Sequence, residues 1–211
     1  LADDMPPSVV KTGLLGGAAQ VRCVALWIDR LRKRGPLALV VDPVLGASSG
    51  GATFADAATL QACRDELLPR ASVITPNRRE AERLLDVAAS DALADVPQLA
   101  AALRQRGASV VCITGGDSAT LDGRVLDWLD GPRARGWLAA PRVDTKHSHG
   151  TGCTFASSLA AALALGFVTE DAAVLAKMAT THALRQGHAA GAGPGPVRCT
   201  PGFAEDPTLL P

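Results

Sequence analysis

The sequence predicts an α/β fold built on a mostly parallel sheet, and two observations carry that prediction. Short runs rich in Val, Ile and Leu alternate with longer segments of helical character. Polar or glycine-bearing residues then follow the runs, where the carboxyl ends of strands would lie. At 211 residues the chain is long enough for one sizeable domain with a buried core.

Taken in order, Val9 to Lys11 reads as a first buried strand, and Ala18 to Lys33 as the helix after it. The basic residues Arg30, Arg32, Lys33 and Arg34 gather at that helix's end, where cations complement the dipole and face solvent. Leu37 to Val41 is the second strand, followed by a helix over Phe54 to Leu68. Ser72 to Ile74 is the third, with helices over Arg78 to Ala88 and Val96 to Gln105, and Ser109 to Ile113 is the fourth. This alternation predicts βαβ units with right-handed crossovers and a doubly wound sheet. Arg124 to Trp128 and Trp137 to Ala139 read as a hairpin around Asp130-Gly131, and helices dominate from Gly152 to Arg185. The domain is expected to span 1–190. Residues 191–211, rich in Gly and Pro, read as an irregular C-terminal extension or linker. The chain enters at Leu1-Ala2-Asp3-Asp4 rather than Met, as a fragment or a domain of a longer protein would.

Composition narrows the function classes. The 21 basic and 21 acidic residues balance, so there is no electrostatic footprint for nucleic acid or an acidic membrane. Cysteines at 23, 63, 112, 153 and 199 are odd in number and widely spaced, which supports neither a disulfide framework nor a structural metal. Cys112, inside an apolar run, reads as a small buried hydrophobe. Reduced thiols and the lack of a signal-like segment point to the cytoplasm. The longest apolar run, Phe155 to Leu165, falls short of the roughly 18 residues of a membrane span.

The chemistry concentrates in Asp144-Thr145-Lys146-His147-Ser148-His149-Gly150-Thr151-Gly152-Cys153. A glycine-bearing turn that opens a helix gathers unpaired N–H groups and the positive end of the helix dipole, which suits a phosphoryl group. Cys153 falls in the first helical turn, where that field favours a thiolate. It reads as an inert helix residue, a redox-sensitive thiol, or the group that accepts or positions the proton of an attacking hydroxyl. Lys146 is placed to neutralise transferring charge, whereas His147 and His149 read as solvated loop residues or phosphate contacts. Asn77 and Glu80 have the spacing of a capping box, or face the crevice and hold Mg²⁺ through its waters. Asp42 is a turn residue or a Mg²⁺-orienting carboxylate. Thr114-Gly115-Gly116 is a tight turn or a nucleotide-phosphate contact through Thr114 and Gly116.

These motifs resemble the ribokinase-like superfamily, and within it the hydroxymethylpyrimidine/phosphomethylpyrimidine kinases of thiamine biosynthesis. The residues that carry the resemblance are Val10-Lys11-Thr12-Gly13-Leu14-Leu15, Val40-Val41-Asp42-Pro43-Val44, Val73-Ile74-Thr75-Pro76-Asn77 with Glu80-Ala81, and the block from Asp144 to Cys153. The resemblance implies a three-layer αβα sandwich and ATP-dependent phosphorylation of 4-amino-5-hydroxymethyl-2-methylpyrimidine, then of its monophosphate. It implies an anion hole of Gly150, Thr151, Gly152 and Cys153, with Cys153 as candidate base. Asn77 and Glu80 match an element associated with Mg²⁺ and phosphate, and Leu14 and Val44 match pyrimidine-pocket positions. A homodimer is implied as well.

Two departures stand out. Relatives carry a preceding Gly-rich segment that supplies much of the pyrimidine site, and this chain starts after that region. Relatives also often have Lys where Thr114 stands. The alternatives are therefore a kinase-like fragment or binding module without turnover, and a pyridoxal-type kinase, against which Cys153 in place of Asp argues.

Overall fold

The computed structural model describes residues 2, 4–46, 54–116 and 121–199. Its sheet has six strands in the order β1-β2-β3-β4-β5-β6. Strands β1 (Val9–Thr12), β2 (Ala38–Val41), β3 (Val73–Ile74) and β4 (Val111–Ile113) are parallel neighbours. The hairpin of β5 (Arg124–Asp130) and β6 (Arg135–Pro141) continues the sheet antiparallel. The fold is the expected three-layer α/β sandwich, but its winding runs one way. The strand order never reverses, so right-handed crossovers place every connecting helix on one face. That face carries α1 (Ala18–Arg32), α2 (Ala57–Ala62), α3 (Arg78–Leu85) and α4 (Val96–Gln105). The other is covered by α5 (Thr151–Ala164) and α6 (Thr169–Arg185), which follow the hairpin.

The period of two along each strand divides the apolar residues between two cores. Leu39 and Val41 of β2, Ile74, Val111 and Ile113 pack against Val21, Ile28, Leu99 and Leu103 of the first face. Val40, Val73 and Cys112 pack against Phe155, Leu159, Ala172 and Ala176 of the second. Cys112 is fully buried, as a small hydrophobe would be.

Helix boundaries differ from expectation where side chains or special backbone intervene. Helix α2 begins at Ala57 because Asp56 caps it, accepting from the Thr59 N–H at 2.8 Å. It then widens into a π turn over Cys63–Leu67 and tightens into a 3₁₀ turn over Leu68–Arg70, where Pro69 has no N–H to continue the ladder. Helix α3 stops at Leu85 rather than Ala88 because Asp86 turns left-handed, with φ 59°. No helix among the described residues is long and apolar enough to cross a membrane.

Candidate active site

The carboxyl ends of the parallel strands bring most of the expected residues to one edge. Asp42 follows β2 and extends its pairing, donating its N–H to Thr12 O at 3.0 Å. Asn77 and Thr114 follow β3 and β4 and form a parallel bridge, with the Thr114 N–H on Pro76 O at 2.9 Å. Gly115 sits so close to β5 that a Cβ there would stand 1.9 Å from Leu126 O, so only glycine fits the turn. Gly116 is exposed beside it, and Asp117 lies outside the described residues.

Over this edge stands the N-terminus of α5. Gly150 is its N-cap in a left-handed conformation, φ 87°, and no side chain caps the helix. The Gly152 and Cys153 N–H groups have no acceptor among the described residues, so the helix start is open to an anion. Thr151 serves the loop's shape: its hydroxyl donates to Ser148 O at 2.6 Å. Lys146 is exposed on the approach to the turn. His147 is a structural brace, since its Nδ1 accepts from the Gly195 N–H at 3.0 Å. Around it the backbone of residues 188–198 is tied down, with Val197 N–H on His149 O at 3.0 Å and Arg198 N–H on Ala183 O at 3.1 Å. The first part of the expected extension thus packs on the anion turn, and residues 200–211 lie outside the described residues.

Asn77 and Glu80 form the full capping box of α3. Asn77 Oδ1 accepts from the Glu80 N–H and Glu80 Oε2 from the Asn77 N–H, both at 2.9 Å. Glu80 Oε1 also accepts from the Leu45 N–H at 3.4 Å, so both carboxylate oxygens are engaged. No cluster of three His, Cys, Asp or Glu side chains suited to a metal occurs among the described residues.

Sequence reasoning missed Lys11 as a site residue. Its Nζ lies 3.1 Å from Asp42 Oδ2, with 21% of the Lys11 side chain and 6% of Asp42's exposed. Val9 and Val40 pack into the core beneath α5, and Lys11 and Asp42 share their strand parity, so both side chains face the α5 N-terminus. The available signal was a charged residue at a core-facing position of an otherwise apolar strand.

The Cys153 thiol is accessible, but its pKa is raised from the ordinary 9.0. Desolvation is the largest cause, and the Asp42 carboxylate adds to it by charge and hydrogen bonding. Lys11 opposes the shift and Glu80 reinforces it weakly. The helix field was expected to favour a thiolate. The neighbouring carboxylate and packing act against that field.

Leu14 is exposed on the loop after β1, and Val44 is half-buried after β2. Val44 lines a small cavity of about 20 Å³ with Thr12, Gly13, Asp42 and Cys63. A larger concavity, about 610 Å³, lies elsewhere and is lined by Arg64, Arg106, Asp65 and Asp86. Its two arginines hydrogen-bond carbonyls at the C-terminal end of α3, so it is a helix cap rather than a reaction site.

Comparison with known proteins gives concordant results. A family model described as phosphomethylpyrimidine kinase matches residues 1–198. A hydroxymethylpyrimidine/phosphomethylpyrimidine kinase of Synechococcus elongatus is 40% identical over 195 residues, 92% of this chain and 71% of that protein. A bifunctional thiamine biosynthesis protein of Geobacter sulfurreducens is 38% identical over 92% of this chain, which spans 38% of that longer protein. Among solved structures, an ADP complex of Bacillus subtilis pyridoxal kinase has a TM-score of 0.85 at 28% identity, covering 94% of this chain and 73% of that one. A phosphomethylpyrimidine kinase from Clostridium difficile has a TM-score of 0.68, also at 28% identity, covering 86% and 71%.

Proposed function

The chain belongs to the phosphomethylpyrimidine kinase family, and from that premise we propose that it phosphorylates 4-amino-5-hydroxymethyl-2-methylpyrimidine and then the monophosphate, with ATP as donor. The observation that carries this reading is the uncapped start of α5, poised over strand ends that present Asp42, Asn77 and Thr114. ATP supplies the phosphoryl group, and the chain's residues supply placement and charge.

The Gly152 and Cys153 amides receive the negative charge that develops on the phosphoryl oxygens, and the left-handed Gly150 aims them. Thr114 and Gly116 hold the nucleotide's phosphates through hydroxyl and bare backbone, with Lys146 at the rim. Leu14 and Val44 line the side from which the pyrimidine enters. Cys153 meets the hydroxymethyl oxygen. With its proton in place the Cys153 thiol orients the hydroxyl, and it takes the hydroxyl proton only after its own has passed to the Asp42 carboxylate. Mg²⁺ brought in on the nucleotide fits this donor set through water, because Glu80 is engaged by two backbone N–H groups and Asp42 by Lys11. The kinase domain on this reading is 1–190, and the assembly a homodimer.

Pyridoxal is the second reading, and the similarity to the Bacillus subtilis pyridoxal kinase favours it. A coupled ADP-release assay offering the aminopyrimidine alcohol and pyridoxal in competition separates the two. Turnover of the pyrimidine with its monophosphate as intermediate is expected, and turnover of pyridoxal alone would sink the assignment.

A further inference from the structure

We propose that Lys11 is a further substrate-handling residue, whose ammonium, anchored by Asp42, binds an oxygen of the phosphoryl group in transit opposite the α5 amides. The inference rests on the phosphoryl-transfer reading above.

Three observations support it. Only 21% of the Lys11 side chain is exposed, on the α5 face of β1, yet among the described residues its Nζ makes no hydrogen bond and has only the Asp42 ion pair. Asp42 Oδ2 is likewise buried without a hydrogen-bond partner, so the 3.1 Å approach is a charge contact and not an aligned bond. An ammonium carries three donors, and those the Asp42 contact leaves unused are open at the crevice to water or to a ligand that displaces it. Gly13 preserves the room this requires, since a Cβ there would press on Lys11 Nζ at 3.0 Å.

Position supplies the ligand's chemistry. Lys11 and Asp42 face the start of α5, where the unpaired Gly152 and Cys153 N–H groups already favour an anion. A point charge with rotatable donors opposite two fixed amides suits an oxygen whose position shifts during transfer. A compact anion of phosphoryl size has the oxygens to accept from both and the charge to match the ammonium. Asp42 holds the ammonium in the crevice in place of solvent.

The test uses the whole chain with ADP and aluminium fluoride, a mimic of the phosphoryl group in flight, and the variant Lys11→Gln, which keeps a donor for Asp42 but loses the charge. Binding of ADP with aluminium fluoride is expected to weaken by about 10²-fold, while ADP alone changes by less than about threefold. In turnover, kcat should fall by about 10²- to 10³-fold with the pyrimidine KM nearly unchanged. Lys11→Ala should regain turnover when ammonium or methylammonium chloride is added, because the cation refills the space beside Asp42. Equal weakening for ADP and its mimic, an unchanged kcat, or a loss that ammonium leaves untouched would each overturn the proposal. If the unsubstituted protein leaves the pyrimidine alone but binds the mimic in a Lys11-dependent way, the substrate reading fails and this inference stands.

Discussion

Two buried Lys–Asp pairs with the same chemistry are used in opposite ways. Lys177 Nζ of α6 lies 2.8 Å from Asp127 Oδ2 of β5 and donates to Val125 O at 3.2 Å. Asp127 Oδ1 accepts the Gly115 N–H at 2.9 Å. That pair ties α6, β5 and the Thr114–Gly116 turn together, with both Asp127 oxygens and the ammonium engaged from within the chain. Lys11 and Asp42, at the crevice, keep donors and an acceptor open. Burial of a charge pair therefore does not mark a functional site. On the proposed reading, unfilled hydrogen-bonding capacity at the crevice does.

The largest expected effect probes that difference through stability. Asp127→Ala strands the buried Lys177 and the Gly115 N–H, and should cost about 3–5 kcal/mol in denaturant unfolding. Asp42→Ala leaves Lys11 able to reach water and should cost about 1–2 kcal/mol, while phosphorylation falls far more than stability does. Comparable stability losses for the two variants would break the comparison.

A smaller effect separates geometry from space at the anion turn. Gly150 is left-handed, so Gly150→Ala should cost about 1–2 kcal/mol and turn the amides away from the phosphoryl group. Gly152 is helical with nothing within 4 Å of an added Cβ, so Gly152→Ala should keep or raise stability by up to about 1 kcal/mol. Its activity should still fall, because the methyl group enters the space left for the ligand. Thermal unfolding beside steady-state rates reads both outcomes.

Much of this organisation was legible in the sequence, because buried parallel strands and the helices between them carry strong periodic signals. The Gly150–Cys153 turn and the Asn77–Glu80 spacing were legible too, since both depend on residues close in sequence. What depended on tertiary register was not. Lys11 and Asp42 are 31 positions apart and meet only because β1 pairs with β2 in the register Thr12↔Val41. The raised pKa of Cys153 was hidden for the same reason: the helix field is local, but the carboxylate that opposes it arrives from another strand. The one-way winding also escaped the pattern, because alternating elements fix which strands are parallel but not the order in which they lie.

The smallest expected effect isolates the crevice pair from its fold role, through the reactivity of Cys153. Asp42 disfavours the thiolate and Lys11 favours it, so their removal should act with opposite signs. Near pH 8, below the ordinary thiol pKa, the alkylation rate follows the thiolate fraction. Asp42→Asn lowers the pKa and should speed iodoacetamide labelling of Cys153 by about 3- to 10-fold, since one pKa unit is tenfold in thiolate. Lys11→Gln raises the pKa and should slow it by a smaller factor. The sign for stability agrees: a thiol whose folded pKa is raised favours the fold below its ordinary 9.0, and that contribution disappears as pH climbs through the raised value. Asp127→Asn, far along the sheet, should leave the rate at Cys153 unchanged. Mass spectrometry of the labelled peptide reads all three variants, and a rate that ignores Asp42 would show that packing alone holds the proton on Cys153.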